Sequence, residues 1–80
     1  MEKRLSTLEE FKNLKDGDKV TLVSKTGRIL KGEVEDGLKN RGYIDLNEIN
    51  VFIYEEDYPI TVNVDKYLND ESSLLDFILN

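Results

Sequence analysis

The side chains of this chain that could do chemistry are carboxylates and hydroxyls, because its 80 residues include no histidine and no cysteine. The usual general base, the thiolate nucleophile and the imidazole and thiolate metal ligands are therefore absent. Asp16 and Asp18 flank a glycine, but a calcium loop needs several more oxygen ligands than this pair supplies. Ser72 and Ser73 stand where a helix would begin, which is typical of capping. We predict a protein that is not an enzyme and that uses no cofactor or metal.

The densest carboxylate cluster is Glu55, Glu56 and Asp57, which Tyr58 follows. Adjacent residues of a strand point to opposite faces, so these three carboxylates do not converge on one ion, and the cluster indicates a solvated turn between strands. Tyrosine at the rim of such a turn is an effective anchor in protein interfaces. We predict these four residues as the partner-binding residues, within an acidic, tyrosine-bearing surface that spans Glu48–Asp70.

Charge is divided unevenly along the chain. Residues 1–41 carry ten Lys/Arg and eight Asp/Glu, whereas residues 42–80 carry one Lys and nine Asp/Glu, and the total is −6. The acidic half, residues 42–80, either keeps the protein soluble or binds a basic partner. A nucleic-acid binder normally has a basic domain instead, so the net charge disfavours nucleic acid as a partner.

The positive residues of the first half support an alternative prediction. They gather on a hairpin turn and on the segment after it, where contacts to phosphate would weaken as salt is added. The residues of this alternative nucleic-acid or nucleotide site are Lys25, Arg28, Lys31, Lys39 and Arg41.

An N-terminal helix precedes these candidates. Apolar residues recur at every third position and predict a helix within residues 1–15 that packs one face against a sheet. The stripe consists of Leu5, Leu8, Phe11 and Leu14. Thr7 and Glu10 have the spacing of a capping box at the start of this helix.

Residues Lys19–Gly37 alternate apolar and polar side chains and predict a β-hairpin. Gly27 suits the positive backbone φ of a short turn. Gly32 carries no side chain that would clash where the second strand bends or another strand crosses it closely. A strand that bends in this way can curl a small sheet toward a barrel.

The rest of the chain alternates between turn residues and apolar runs. A polar loop is predicted at Asp36–Gly42, and three further strands come after it. These strands are predicted at Tyr43–Leu46, Val51–Tyr54 and Pro59–Val64, and the first of them either ends in a turn at Asn47 and Glu48 or runs on. The apolar run Leu74–Leu79 predicts a short helix within residues 70–80, which either covers an open end of the barrel or drives self-association.

The spacing of Val20, Leu22, Gly27 and Gly32 makes the segment Leu14–Val34 similar to the first half of Sm-like small barrels. Src-homology-3-like barrels share this spacing. The resemblance implies a short N-terminal helix followed by five bent strands. It also implies RNA binding by a short Asp/Asn-containing segment after the second strand, where this chain has the residues LKNRG at positions 38–42.

The sequence as a whole predicts a mainly β protein of one domain. We expect a five-stranded antiparallel barrel, Sm-like or Src-homology-3-like, at residues 18–68, with the N-terminal helix before it and the C-terminal helix after it. No apolar run reaches the length of a membrane helix, and the charged N-terminus lacks a secretory core, so we expect a cytoplasmic protein without membrane contact.

The predicted function is that of a non-enzymatic acidic interaction module, an inhibitor or adaptor that binds a basic protein surface. The alternative is an Sm-like barrel that binds nucleic acid or a nucleotide. Homo-oligomers through Leu74–Leu79 or through an edge strand are a further expectation.

Overall fold

A computed structural model describes residues 2–41 and 44–80, so Met1, Gly42 and Tyr43 lie outside the described part of the chain. At residues 36, 38–41 and 44–46 the description is limited to the backbone.

Six strands and two short helices make up the described chain. In order they are β1 (Lys3–Arg4), α1 (Leu8–Lys12), β2 (Lys19–Ser24), β3 (Ile29–Arg41), β4 (Ile44–Ile53), β5 (Tyr58–Asn63), α2 (Val64–Leu68) and β6 (Leu74–Leu79). All strand pairs are antiparallel, and they form one sheet in the order β1-β6-β2-β3-β4-β5. The predicted mainly β class is confirmed.

The sheet is open rather than closed. Among the described residues no pairing joins β5 to β1, and these two strands stand at the two ends of the strand order. The predicted closed five-stranded barrel is therefore not confirmed. The sheet has six strands: β1 and β6 come in addition to the five predicted strands, two of which are merged in β4.

The predicted capping box starts α1. The Glu10 amide donates to the Thr7 hydroxyl at 3.3 Å, and the Thr7 amide donates back to the Glu10 carboxylate at 3.2 Å. Glu10 also pairs with Lys3 at 2.8 Å, and this interaction is the main cause that lowers the pKa of Glu10 to about 2. The helix is shorter than the predicted residues 1–15, because Lys3 and Arg4 pair with β6 instead.

The two hairpin glycines act as predicted. Gly27 has a φ of 91° in the β2–β3 turn, a conformation that costs residues with side chains energy. Gly32 pairs with Val20 on one side and with Ile53 on the other. A Cβ atom at position 32 would lie 2.0 Å from the main-chain oxygen of Phe52, so only glycine fits this crossing.

One hydrophobic core fills the inner side of the sheet. Both helices and five of the strands contribute to it. The residues of the predicted stripe pack there, although only Leu8 and Phe11 lie in α1. The buried apolar residues are Leu5, Phe11, Leu14, Val20, Leu22, Val34, Ile49, Val51, Ile53, Val62, Val64, Tyr67, Leu74 and Phe77. Phe11 contacts Phe77 edge-to-face at 4.9 Å and Tyr67 at 5.6 Å. The N-terminal helix is therefore fastened to α2 and β6.

The predicted C-terminal helix at residues 70–80 is wrong, since Leu74–Leu79 forms β6 between β1 and β2. The register shifts opposite Ser24, which pairs with Leu74 while Val23 pairs with Asp76. Leu75 is the extra residue of this bulge. The buried Leu74 and Phe77 consequently stand three positions apart, which is the spacing of a helix rather than of a regular strand.

The predicted polar loop at Asp36–Gly42 is also wrong over its described residues. β3 continues through Arg41 and pairs with β4, with three shifts of register along the way. The two strands predicted at 43–46 and 51–54 are one strand, Ile44–Ile53. Strand pairing uses the main chain, so polar side chains do not prevent it away from the core.

Candidate functional site

The acidic turn between β4 and β5 consists of residues 54–57. It is closed by a hydrogen bond from the Asp57 amide to the carbonyl oxygen of Ile53 at 2.9 Å. Asp57 has a φ of 54°, a left-handed conformation that aspartate tolerates better than most residues. The side chains of Glu55 and Asp57 are exposed, as the sequence predicted for a solvated turn.

Glu56 differs from its two acidic neighbours because it has a cationic partner. Its carboxylate forms an ion pair with the guanidinium group of Arg28, and only 18% of the Glu56 side chain is exposed. The pKa of Glu56 is lowered, first by hydrogen bonding with the Tyr58 hydroxyl and then by the charge of Arg28. The same hydrogen bond raises the pKa of Tyr58. Arg28 therefore joins the acidic turn to the β2–β3 turn.

The β2–β3 turn also reaches a second acidic segment. Lys25 Nζ pairs with a carboxylate oxygen of Asp70 at 3.0 Å and donates to its carbonyl oxygen at 3.2 Å. The Lys25 amide donates to the carbonyl of Ser73 at 2.9 Å. Two residues of the alternative basic site are thus engaged by carboxylates of the predicted acidic surface.

Among the described side chains of the alternative basic site, Lys31 lies apart from Lys25 and Arg28. Lys25 and Arg28 lie in the β2–β3 turn, whereas Lys31 lines a shallow groove on the outer face of the sheet with Thr21 and Ile29. The side chains of Lys39 and Arg41 lie outside the described part of the chain.

Four exposed carboxylates belong to the two segments that contact the β2–β3 turn, and we call them the acidic end. Glu55 and Asp57 flank Glu56, the partner of Arg28, while Asp70 pairs with Lys25 and Glu71 follows it. Among the described ion pairs none involves Glu55, Asp57 or Glu71. The sequence predicted Glu55, Glu56, Asp57 and Tyr58, but it gave no sign that the segment of Asp70 and Glu71 also meets the β2–β3 turn, since only the fold brings Asp70 to Lys25.

A cleft of about 290 Å³ opens beside the acidic end. One wall consists of four consecutive residues of β5, Ile60–Asn63, and the opposite wall is Ser72–Leu74. Leu30 lines the cleft as well, and Arg28, whose side chain is 59% exposed, lies at the rim. The lining is mainly apolar and is edged by hydroxyl groups, a composition that suits the binding of a small apolar side chain.

The predicted self-association segment is largely used inside the molecule. Leu74 and Phe77 are buried in the core, whereas Leu75 remains 49% exposed. Homo-oligomerisation through Leu74–Leu79 stays a prediction that now rests on Leu75 and its partly exposed neighbours.

No three acidic side chains among the described residues converge as a metal ion would require. Neither helix of this part of the chain is long and apolar enough to cross a membrane.

Comparison of the chain with protein-family models, with curated proteins and with solved structures gives no match of any of the three kinds. The resemblance to Sm-like barrels therefore stays a prediction, and the geometry of the site carries the functional argument.

Proposed function

We propose that this protein is a small, non-enzymatic interaction module whose acidic end binds a basic protein surface. The supporting observation is that the cations of the β2–β3 turn are already paired with Glu56 and Asp70. Glu55, Asp57 and Glu71 have no cationic partner among the described residues, so their charge is available to a partner. The cytoplasmic location expected from the sequence belongs to the same proposal.

The ion pairs also hold the site in shape. Arg28 ties the acidic turn to the β2–β3 turn, and Lys25 ties that turn to Asp70. A partner then meets carboxylates whose backbone is already ordered, which reduces the entropy lost on binding. Tyr58, whose side chain is half exposed, adds an aromatic contact next to the charges.

A module of this kind can act as an inhibitor or adaptor. Carboxylates that face a basic groove accelerate encounter and exclude partners of like charge. Occupation of a groove that normally holds a polyanion would block it.

The nucleic-acid alternative receives less support from the same contacts. Phosphate would have to displace Glu56 from Arg28 and Asp70 from Lys25 before it could use these cations. Binding of an RNA or DNA oligonucleotide at moderate salt, lost on replacement of Arg28, would favour this alternative over the proposal.

The test compares two neutralised variants of equal net charge. The acidic-end variant carries Glu55→Gln, Asp57→Asn and Glu71→Gln; asparagine is chosen because it tolerates the left-handed backbone at position 57. The control variant carries Glu2→Gln, Glu9→Gln and Glu35→Gln, which are exposed carboxylates elsewhere.

Binding of a labelled oligo-lysine peptide is measured by fluorescence anisotropy at low and moderate salt. We expect the acidic-end variant to bind about tenfold more weakly, as three surface charges would produce, and the control variant to bind nearly as the natural protein does. Equal weakening of the two variants would show that affinity follows net charge and would overturn the proposed site.

A further inference from the structure

The cleft runs along the edge of β5 and not across its face. Side chains on one face of a strand come from every second residue, yet the four residues Ile60–Asn63 line the cleft consecutively. The main chain of β5 is therefore part of the cleft wall. Among the described residues β5 pairs with β4 alone, and no other backbone hydrogen bond reaches its second edge.

Pro59 shows which backbone groups face this edge. Pro59 stands opposite Phe52 in the ladder and has no N–H to donate, so this pair is of the type that exchanges no hydrogen bonds. Pair types alternate along an antiparallel ladder. The N–H and C=O groups of Thr61 consequently point away from β4, and so does the N–H of Asn63.

The opposite wall is firmly held. The Lys25 amide donates to the Ser73 carbonyl at 2.9 Å, and the Leu74 amide donates to the Ser72 hydroxyl at 3.1 Å. Leu30 and Ile60 line the cleft with apolar side chains that pack against the core. An extended segment in the cleft would find backbone partners on β5 and an apolar surface beneath.

Charge indicates the occupant. Arg28, which lines the rim, is neutralised by Glu56, and Glu71 directly precedes Ser72 on the far wall. A second copy of this chain would bring its own acidic turns to the same cleft and meet repulsion. A segment that combines lysine or arginine with small apolar residues suits the apolar lining of the cleft and the carboxylate of Glu71 next to it, which is unpaired among the described residues.

We propose that the basic partner enters this cleft as an extended segment that pairs with the free edge of β5 as an added strand. The segment donates to and accepts from Thr61, and it places an apolar side chain over Leu30 and Ile60. Its lysine or arginine side chains reach Asp57 and Glu71. The choice of a basic segment rests on the proposed function; the strand pairing rests on the edge of β5.

The first test uses a labelled five-residue peptide of alternating lysine and valine. Two derivatives carry N-methyl groups on the backbone, one at the lysines and one at the valines, so that each blocks one edge of the extended peptide at unchanged charge. We expect one derivative to bind about tenfold more weakly than the parent, since it loses its hydrogen bond to the Thr61 carbonyl and its methyl groups clash with the edge of β5, and the other to retain affinity. Amide NMR signals of Thr61 and Asn63 should shift on addition of the parent peptide.

Two variants test the same idea from the side of the protein. Thr61→Pro removes the outward donor, and Ser73→Phe fills the cleft from its far wall without changing β5. Both variants should bind the parent peptide about tenfold more weakly than the natural protein does. Thermal melting establishes that each variant folds, and because Ser73 is exposed, its variant remains informative if Thr61→Pro fails to fold.

The outcomes separate this inference from the proposed function. Equal binding of the parent and both N-methylated peptides, with weakening only in the acidic-end variant, leaves the proposed function standing and overturns strand pairing. If none of the peptides binds, both the proposed function and strand pairing are overturned. Concentration-dependent dimers whose Thr61 amide shifts without peptide would make a second copy the occupant and overturn the choice of a basic segment.

Discussion

Tyr67 joins three parts of the fold through a single hydroxyl group. The hydroxyl donates to the carbonyl oxygen of Leu5 at 2.9 Å and accepts from the amide of Phe77 at 3.0 Å. Leu5 in turn donates its own amide to the Phe77 carbonyl at 2.8 Å. The hydroxyl therefore replaces the return hydrogen bond that β1 and β6 would make if β1 continued. We predict that Tyr67→Phe strongly destabilises the protein.

The expected loss of stability follows from the two main-chain groups that would lose their partner, the Leu5 carbonyl and the Phe77 amide. Leu5 and Phe77 are both almost completely buried, and an unsatisfied buried polar group costs about 1–3 kcal/mol. We expect a total of about 2–4 kcal/mol, in the lower part of the summed range, because β1 is only two residues long and can shift. The whole stability of an 80-residue domain is about 4–12 kcal/mol. A loss of this size would lower the melting temperature by roughly 10–25 °C.

Urea unfolding followed by circular dichroism measures the change in the free energy of unfolding. The matched control is Tyr54→Phe, whose hydroxyl contacts Lys19 at 3.0 Å at a site that is 43% exposed. Loss of this surface contact should cost less than about 0.5 kcal/mol. If Tyr67→Phe stays within the same limit, the hydroxyl does not carry the junction of β1 and β6, and the reasoning is refuted.

Three further predictions concern single positions. Gly32→Ala should lower the free energy of unfolding by about 3 kcal/mol or more, because the new methyl group would clash with the main-chain oxygen of Phe52. Gly37→Ala, where no atom would lie closer than 3.5 Å to the new methyl group, should lower it far less in the same urea assay. The pKa of Glu10 is lowered from 4.5 to about 2, so its stabilisation is complete above pH 4.5 and disappears as the pH falls toward 2. The melting temperatures of the natural protein and of Glu10→Gln should therefore converge over this interval, and a constant difference would contradict the assignment. Glu56→Gln should release Arg28 and raise the affinity for a labelled oligonucleotide in a filter-binding assay; unchanged affinity would show that the ion pair does not mask this cation.

Local patterns predicted local structure well. Thr7 and Glu10 predicted the helix start because both partners of the capping box lie within four residues. Gly27 predicted the turn and Gly32 predicted the close strand crossing, because both features require a residue without a side chain. The predicted residues Glu55, Glu56, Asp57 and Tyr58 lie together, in the acidic turn and at the start of β5, because they are neighbours in the chain.

Long-range pairing was beyond the sequence pattern. The strand β1 consists of Lys3 and Arg4, whose types favour no strand, and it exists because β6 offers an edge to them. The bulge at Leu75 gave β6 the apolar spacing of a helix. Helix α2 was missed because Val64 continues the strand-like alternation of Ile60 and Val62. Asn63 could have indicated the start of this helix, since its side chain accepts from the Lys66 amide at 3.0 Å as an N-cap.

The order of the strands has a consequence for the way this chain folds. β2 to β5 follow one another as a meander with short connections, but Thr21 of β2 meets Asn80 across 59 positions. Contacts so distant in sequence require a large loop to close first, so they slow folding and form late. Ser72–Leu74, the far wall of the cleft, leads directly into this late-forming strand. A ligand that binds to this wall would therefore slow unfolding, and the lifetime of the folded state would report occupancy of the cleft.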